Sequence, residues 1–263
     1  MNKETHIKYE ELKPFLENTN FLEKMRKVSN PIVNENDDEE SKLDALLDLR
    51  RLHKFYYDFF LKIFDNILYG IKDVLRTKNL ELQYEALSLL KEVFDHHKYY
   101  ATDIGDWVQK LLPRLLDIYL DKNEHYDITN QIILNITHYL LYPETIETFL
   151  EEINDSRDQD LSNAAFTFLM LSLESLNTFD LQETMYWNKL IELLYDIFKS
   201  GNGKAIYAQK TLNFIMNKLG KTKLDEILNI HSTPKMKITF VDMVKEITQG
   251  EVNINRNNNH LYK

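Results

Sequence analysis

Cysteine is absent from this 263-residue sequence, which removes disulfides, thiolate nucleophiles and cysteine metal sites and fits a reducing compartment. Glycine and proline are scarce, at 6 and 5 residues. Tight turns, hairpins and bulges draw on both, so the scarcity argues against all-β and α/β architectures. It also argues against folds that cradle a phosphate, because backbone approaches a phosphate closely where glycine removes the side chain. An excess of positive charge is missing too: 32 Lys and Arg stand against 42 Asp and Glu, a net charge of −10 that repels nucleic-acid backbones and anionic lipid. No apolar run approaches the roughly 18 residues of a membrane-spanning helix, and the charged start lacks the apolar stretch of a secretory leader. The expectation is a cytoplasmic protein that binds neither nucleic acid nor membrane.

What is present is a helical pattern. Hydrophobic residues make up 43% of the chain, enough for a real core. They recur at helical spacing, as in Ala86, Leu87, Leu90 and Phe94, or Leu190, Ile191, Leu194, Tyr195 and Phe198. The breaks are short and polar, including 77–79, 100–103, 121–127, 142–143, 154–158, 177–181, 200–203, 220–222 and 232–234. Several carry a side-chain oxygen ahead of an apolar run, as Asp103 and Asp180 do, where it can cap the free amides of a first turn. An acidic loop is expected over 29–40, between a first helix of about 7–28 and a second from Ser41, and a frayed Asn-rich tail over 249–263. The rest, 1–248, reads as one domain.

The helices pair into about six hairpins. Second helices open near Ser41, Leu80, Asp127, Gln159, Gly203 and Met236, at intervals averaging 39 residues. Such a period belongs to α-solenoids, in which stacked hairpins build a core that no single hairpin can bury; an irregular all-α domain is the other reading of the same periodicity. The run Leu111-Leu112-Pro113-Arg114-Leu115-Leu116, ending in Asp121-Lys122-Asn123, resembles the first helix and turn of a HEAT repeat.

No catalytic constellation emerges. His96 and His97 are adjacent, so on a helix they point about 100° apart and cannot share an ion; they read as a surface pair at a helix end. His125 and His138 fit no metal-binding spacing. Gly201-Asn202-Gly203-Lys204 lacks the length and the following Ser or Thr of a phosphate loop, and reads as a turn using glycine at positive φ. No enzyme activity, metal or cofactor is expected. The aromatic run Phe55-Tyr56-Tyr57-Asp58-Phe59-Phe60 is either core sandwiched between hairpins or an exposed partner patch, and Trp107 and Trp187 read as core.

The stretch from Leu43-Asp44-Ala45-Leu46-Leu47-Asp48-Leu49-Arg50-Arg51-Leu52 through Leu80-Glu81-Leu82-Gln83-Tyr84-Glu85-Ala86-Leu87 to the Pro113 segment resembles a TOG domain, the six-hairpin HEAT module of the CLASP and crescerin families. The resemblance implies a tubulin or microtubule partner, a cytoskeletal setting such as a cilium or axoneme, and binding through the turns within the hairpins. Arg76, Lys78, Lys122, Arg157 and Lys204 fall in those turns and would face an acidic partner. The first turn carries Glu35, Asp37, Asp38, Glu39 and Glu40 where that family has an aromatic residue. The alternative is a HEAT- or armadillo-type scaffold that holds a peptide or helix of another protein on its concave second-helix face.

Overall fold

A computed structural model describes residues 6–16, 20–34, 36–96, 104–139, 143–175, 187–200 and 203–244. These residues are all-α: helices dominate, and no strand occurs among them. The side chains of His96 and His97, the breaks expected at 100–103 and 177–181, their capping aspartates and the Asn-rich tail lie outside the described residues. The chain divides into two compact units, Met1–Leu140 and Leu141–Lys263, so the boundary falls between the third and fourth expected hairpins.

The first unit holds α1 (Phe21–Val33), α2 (Glu39–Phe55), α3 (Tyr57–Val74), α4 (Leu80–His96), α5 (Ile104–Leu120) and α6 (Tyr126–Tyr139). Within it α1, α3 and α5 pack in succession, and α2, α4 and α6 pack in succession beside them. The space between is filled by Leu46, Leu49, Phe60, Phe64, Leu90 and Trp107, all shut off from solvent. Each such side chain contributes about 1.5–3 kcal/mol through removal of apolar surface from water. The Phe64 and Trp107 rings meet edge to face at 4.6 Å, and the Trp107 indole donates to Asp65.

The second unit holds α7 (Pro143–Asp155), α8 (Gln159–Ser175), α9 (Trp187–Lys199), α10 (Ala205–Leu219), α11 (Lys221–His231) and a last helix, α12, over 234–244. Here α7 packs on α8 and α9, and α9 on α10 and α11. Phe149, Leu169, Ile191, Leu194, Leu212 and Phe240 form its core, and Trp187 is buried as well.

The N-terminal region departs from expectation. Instead of a helix over 7–28, residues 6–16 carry only a short 3₁₀ turn at Tyr9–Glu11, and α1 begins after Asn20, whose side chain accepts from the Glu23 amide at 3.3 Å. The physical reason lies 45 residues away: the Lys54 ammonium takes the carbonyls of Tyr9, Glu10 and Leu12, which a helix would have used. Less of 29–40 is loop than expected, because α1 runs through Pro31 to Val33 and Asp38 starts α2 by accepting from the Ser41 amide at 2.8 Å. The aromatic run is split at Tyr56, where φ −141° and ψ 51° end α2 and let α3 begin.

Gly70 permits a close crossing of α1 and α3. A Cβ there would lie 2.2 Å from the Ile32 carbonyl oxygen, so α1 and α3 approach backbone to backbone because this residue has no side chain.

Candidate functional site

The second-helix row of the first unit carries a polar face under an extended stretch of the chain's own N-terminus. At its centre sits Arg50, 1% exposed on α2. Its Nε donates to Glu92 at 2.8 Å and its Nη1 to Glu85 at 2.8 Å, both on α4, while Nη2 reaches Glu92 and the Ile7 carbonyl, the latter at 2.8 Å. Glu85 and Glu92 stand seven residues apart, two helical turns, and so project from the same face of α4. Burial pushes the Glu92 carboxyl above its ordinary range, against the downward pull of the Arg50 hydrogen bond and charge. Burial acting alone would lower Arg50, yet Glu92 and Glu85 outweigh it and hold the guanidinium above its ordinary value. The charge at the middle of this face is therefore permanent.

Around that centre the N-terminal stretch lies along α2 from Arg50 toward Tyr56. His6 meets Glu85 at 2.6 Å and sets its ring edge to face on Tyr84, with centroids 4.7 Å apart. Tyr9 lies beside His53 with centroids 6.2 Å apart, and the Lys54 ammonium sits 4.9 Å from the Tyr9 ring centre. Burial, then the nearby Glu92 and Glu10 charges, pushes the Tyr9 phenol up to about 12. Leu12 is 4% exposed, and Phe15 stacks on Tyr56 at 5.5 Å. Beyond it Phe21 contacts both Tyr56 and Phe59, so the split aromatic run forms a half-exposed cluster with the N-terminal stretch, Phe55 being 38% exposed at its edge.

The expected cations occupy the turns. Arg76 and Lys78 are exposed between α3 and α4, and Lys122, at φ +46°, is exposed between α5 and α6. These turns share one edge of the first unit: Asn79 donates to Glu39 at 2.7 Å, and the Leu75 carbonyl at the end of α3 accepts from Gln83 at 2.7 Å and from Arg114 Nη2 at 3.0 Å. Carboxylates crowd the same edge. Arg76 pairs with Asp73 at 3.0 Å, and Glu81, Asp121, Glu124 and Asp127 surround Lys78 and Lys122 in sequence. In the second unit Arg157 is exposed between α7 and α8. Lys204 is not: it is 7% exposed, and its ammonium donates to the carbonyls of Asn154, at 2.8 Å, and Ser156. Desolvation lowers its pKa. Lys204 thus closes the turn that carries Arg157, and Gly203 beside it takes φ +76°, a conformation suited to glycine.

The histidines weighed as ligands lie apart in character, His125 buried against Tyr84 and His138 exposed, and among the described residues no group of three or more His, Asp or Glu is arranged to hold a metal ion. Sequence reasoning missed Arg50, Lys54, Glu85, Glu92 and the stretch 6–12. One signal was there: Leu46, Leu49, Arg50 and His53 keep core periodicity, so an arginine interrupts a buried stripe and needs an acid facing it. No described helix is long and apolar enough to cross a membrane. No family model matches the chain, and no curated protein matches it.

Proposed function

We propose that the chain is a non-enzymatic α-solenoid of about six HEAT-like hairpins that docks an extended or helical segment of another protein on its second-helix face. The observation that carries this reading is the seating of residues 6–12 on α2 and α4, where Arg50 takes the main-chain carbonyl of Ile7, Lys54 takes those of Tyr9 and Glu10, and Leu12 is buried. Main-chain capture by long cationic side chains is a way for a helical surface to hold a chain that has no helix or sheet of its own. The test is selection of a random-peptide display library on the full chain, followed by crosslinking of the selected peptides. Crosslinks to α2, α4 or α6, lost on Lys54→Glu, support docking there; crosslinks confined to the turns overturn it.

A second reading keeps the TOG resemblance. In it the exposed Lys78, Lys122 and Arg157, which make no ion pair among the described residues, meet the acidic surface of tubulin or of a microtubule-associated protein. It ranks second because the same turns carry more carboxylates than cations, and like charge disfavours an acidic partner. Its test is co-sedimentation with microtubules, and size-exclusion with free tubulin, at two salt concentrations. Salt-sensitive binding lost on joint reversal of Arg76, Lys78, Lys122 and Arg157 supports it, and binding unchanged by that reversal overturns it. Lys204 is left out of the variant because removing it breaks a turn rather than a surface.

A further inference from the structure

The face proposed above for docking holds a stretch of this chain in a definite register, and that register describes what else fits. Position one is His6, against Glu85 and the Tyr84 ring. Position four is Tyr9, against His53 and the Lys54 ammonium. Position seven is Leu12, buried. Between them Lys8, Glu10 and Glu11 face solvent, and the main-chain carbonyls of Ile7, Tyr9 and Glu10 are taken by Arg50 and Lys54. Carbonyl capture is blind to sequence, so selectivity rests on the side chains at positions one, four and seven.

Arg50 is held from outside the occupant, whereas Lys54 spends its hydrogen bonds on it. Without residues 6–12 Arg50 keeps Glu92 and Glu85 and loses one carbonyl, so the guanidinium stays fixed and aimed. An arginine held ready in this way captures a carbonyl without the cost of ordering its own side chain. The occupant's own grip is local: three side chains, a few carbonyls and no helix longer than Tyr9–Glu11.

We propose that the α2–α4 groove accepts an extended segment of another protein bearing a basic or imidazole side chain, an aromatic residue three positions on and an aliphatic residue three positions further, and that residues 6–12 occupy the groove in competition with it. This rests on the docking reading of the second-helix face and adds to it the chemistry of the partner and the chain's own competitor.

The probe is a fluorescein-labelled synthetic peptide corresponding to residues 6–16, offered to the full chain and to the full-length variant Tyr9→Ala/Leu12→Ala. A competitor that fills the groove most of the time reduces apparent affinity in proportion, so the variant is expected to bind the peptide at least about tenfold more tightly than the natural chain. Alanine at the positions of Tyr9 and Leu12 in the peptide abolishes binding, and alanine at those of Lys8 and Glu10 leaves it unchanged. Equal binding by the two chains overturns the proposal. Should the variant lose structure, a second measurement on the otherwise natural chain replaces it: a nitroxide on Lys8→Cys, the sole cysteine of that chain, sharpens in its spectrum when excess unlabelled peptide releases the stretch, and an unmoved spectrum overturns the proposal. A dimer that forms with concentration and is dispersed by the peptide also overturns it, since the groove then takes the same stretch from a second copy. The two readings fail separately. Library peptides that crosslink to α2 or α4 equally well with and without Tyr9→Ala/Leu12→Ala leave docking standing and end the competition, whereas no crosslink to that face in either chain ends both.

Discussion

The two units differ in how deeply they bury the charges that join their helices. In the first, charges are drawn out of water and met by a partner: Arg50 by Glu85 and Glu92 across α2 and α4, Lys24 by Asp48 across α1 and α2, and the Asp95 carboxylate by the Asn135 amide across α4 and α6. In the second, the ion pair that joins α7 to α9, Lys189 with Glu151, lies open to solvent, and other lysines reach backbone oxygens, Lys204 those of Asn154 and Ser156 and Lys218 that of Glu174, while Tyr207 donates to Asn163 and accepts from Gln159. The difference teaches where each unit is vulnerable. A buried charge left without its partner is costly, whereas a backbone carbonyl near the surface can turn to water.

The single tryptophan in each unit makes the contrast measurable, Trp107 reporting the first and Trp187 the second. The largest effect expected is from Arg50→Ala, which strands Glu92 in the interior and should lower the stability read at Trp107 by about 3–5 kcal/mol. Adding Glu92→Leu should restore much of that loss in urea titrations of a Trp187→Phe background. If the double variant is as unstable as the single one, the stranded charge is not the cause.

Next is Gly70→Ala. Its new Cβ would press on the Ile32 carbonyl, and forcing α1 away from α3 should cost about 1–3 kcal/mol in the same titration. A variant as stable as the parent would mean that the two helices separate freely. Smaller again is Lys204→Met in a Trp107→Phe background, expected to cost about 1 kcal/mol at Trp187, because the aliphatic stem still packs and only the carbonyl bonds are lost. Lys78→Met, made as the exposed control, should leave the Trp107 transition in place. A shift at Lys78 equal to that at Lys204 would erase the distinction between a surface cation and a clip.

The smallest effect is one of pH. Burial holds the His125 imidazole below its ordinary value, so the folded state keeps it neutral while the unfolded chain takes up a proton near pH 6.5. The stability it contributes is fully present above that pH and is lost as pH falls through it toward the folded value. Thermal midpoints at Trp107 taken between about pH 7.5 and 5.5 should therefore fall on acidification, and His125→Gln should flatten that slope. An unchanged slope would place the dependence on another group.

Much of the helical fold was legible because it is written in local periodicity. Leu80 and Gln159 open helices where the pattern put them, and the breaks expected at 77–79 and 154–158 fall within a residue or two of those observed at 75–79 and 156–158, where polar residues interrupt apolar spacing. What escaped notice depends on contacts distant in sequence. Nothing near Tyr9 announces that Lys54 will claim its carbonyl, and Lys204 among glycines reads as exposed until Asn154 and Ser156 fold beneath it. Pro31 misled in the opposite direction, since it sits in the last turn of α1 rather than ending it. The candidate docking face on α2 and α4 was hidden for the same reason: what marks it is the seated stretch 6–12, whose capture no short window records.

The Leu75 carbonyl also bears on engineering. Side chains from α4 and α5 both end on that one oxygen, so three helices take their alignment from a point just before the 76–79 turn. Residues added at Thr77 or Lys78 lengthen a loop already bypassed by that junction, which makes the turn a natural place to graft a tag or epitope. One residue added before Leu75 would rotate the oxygen away from both donors at once.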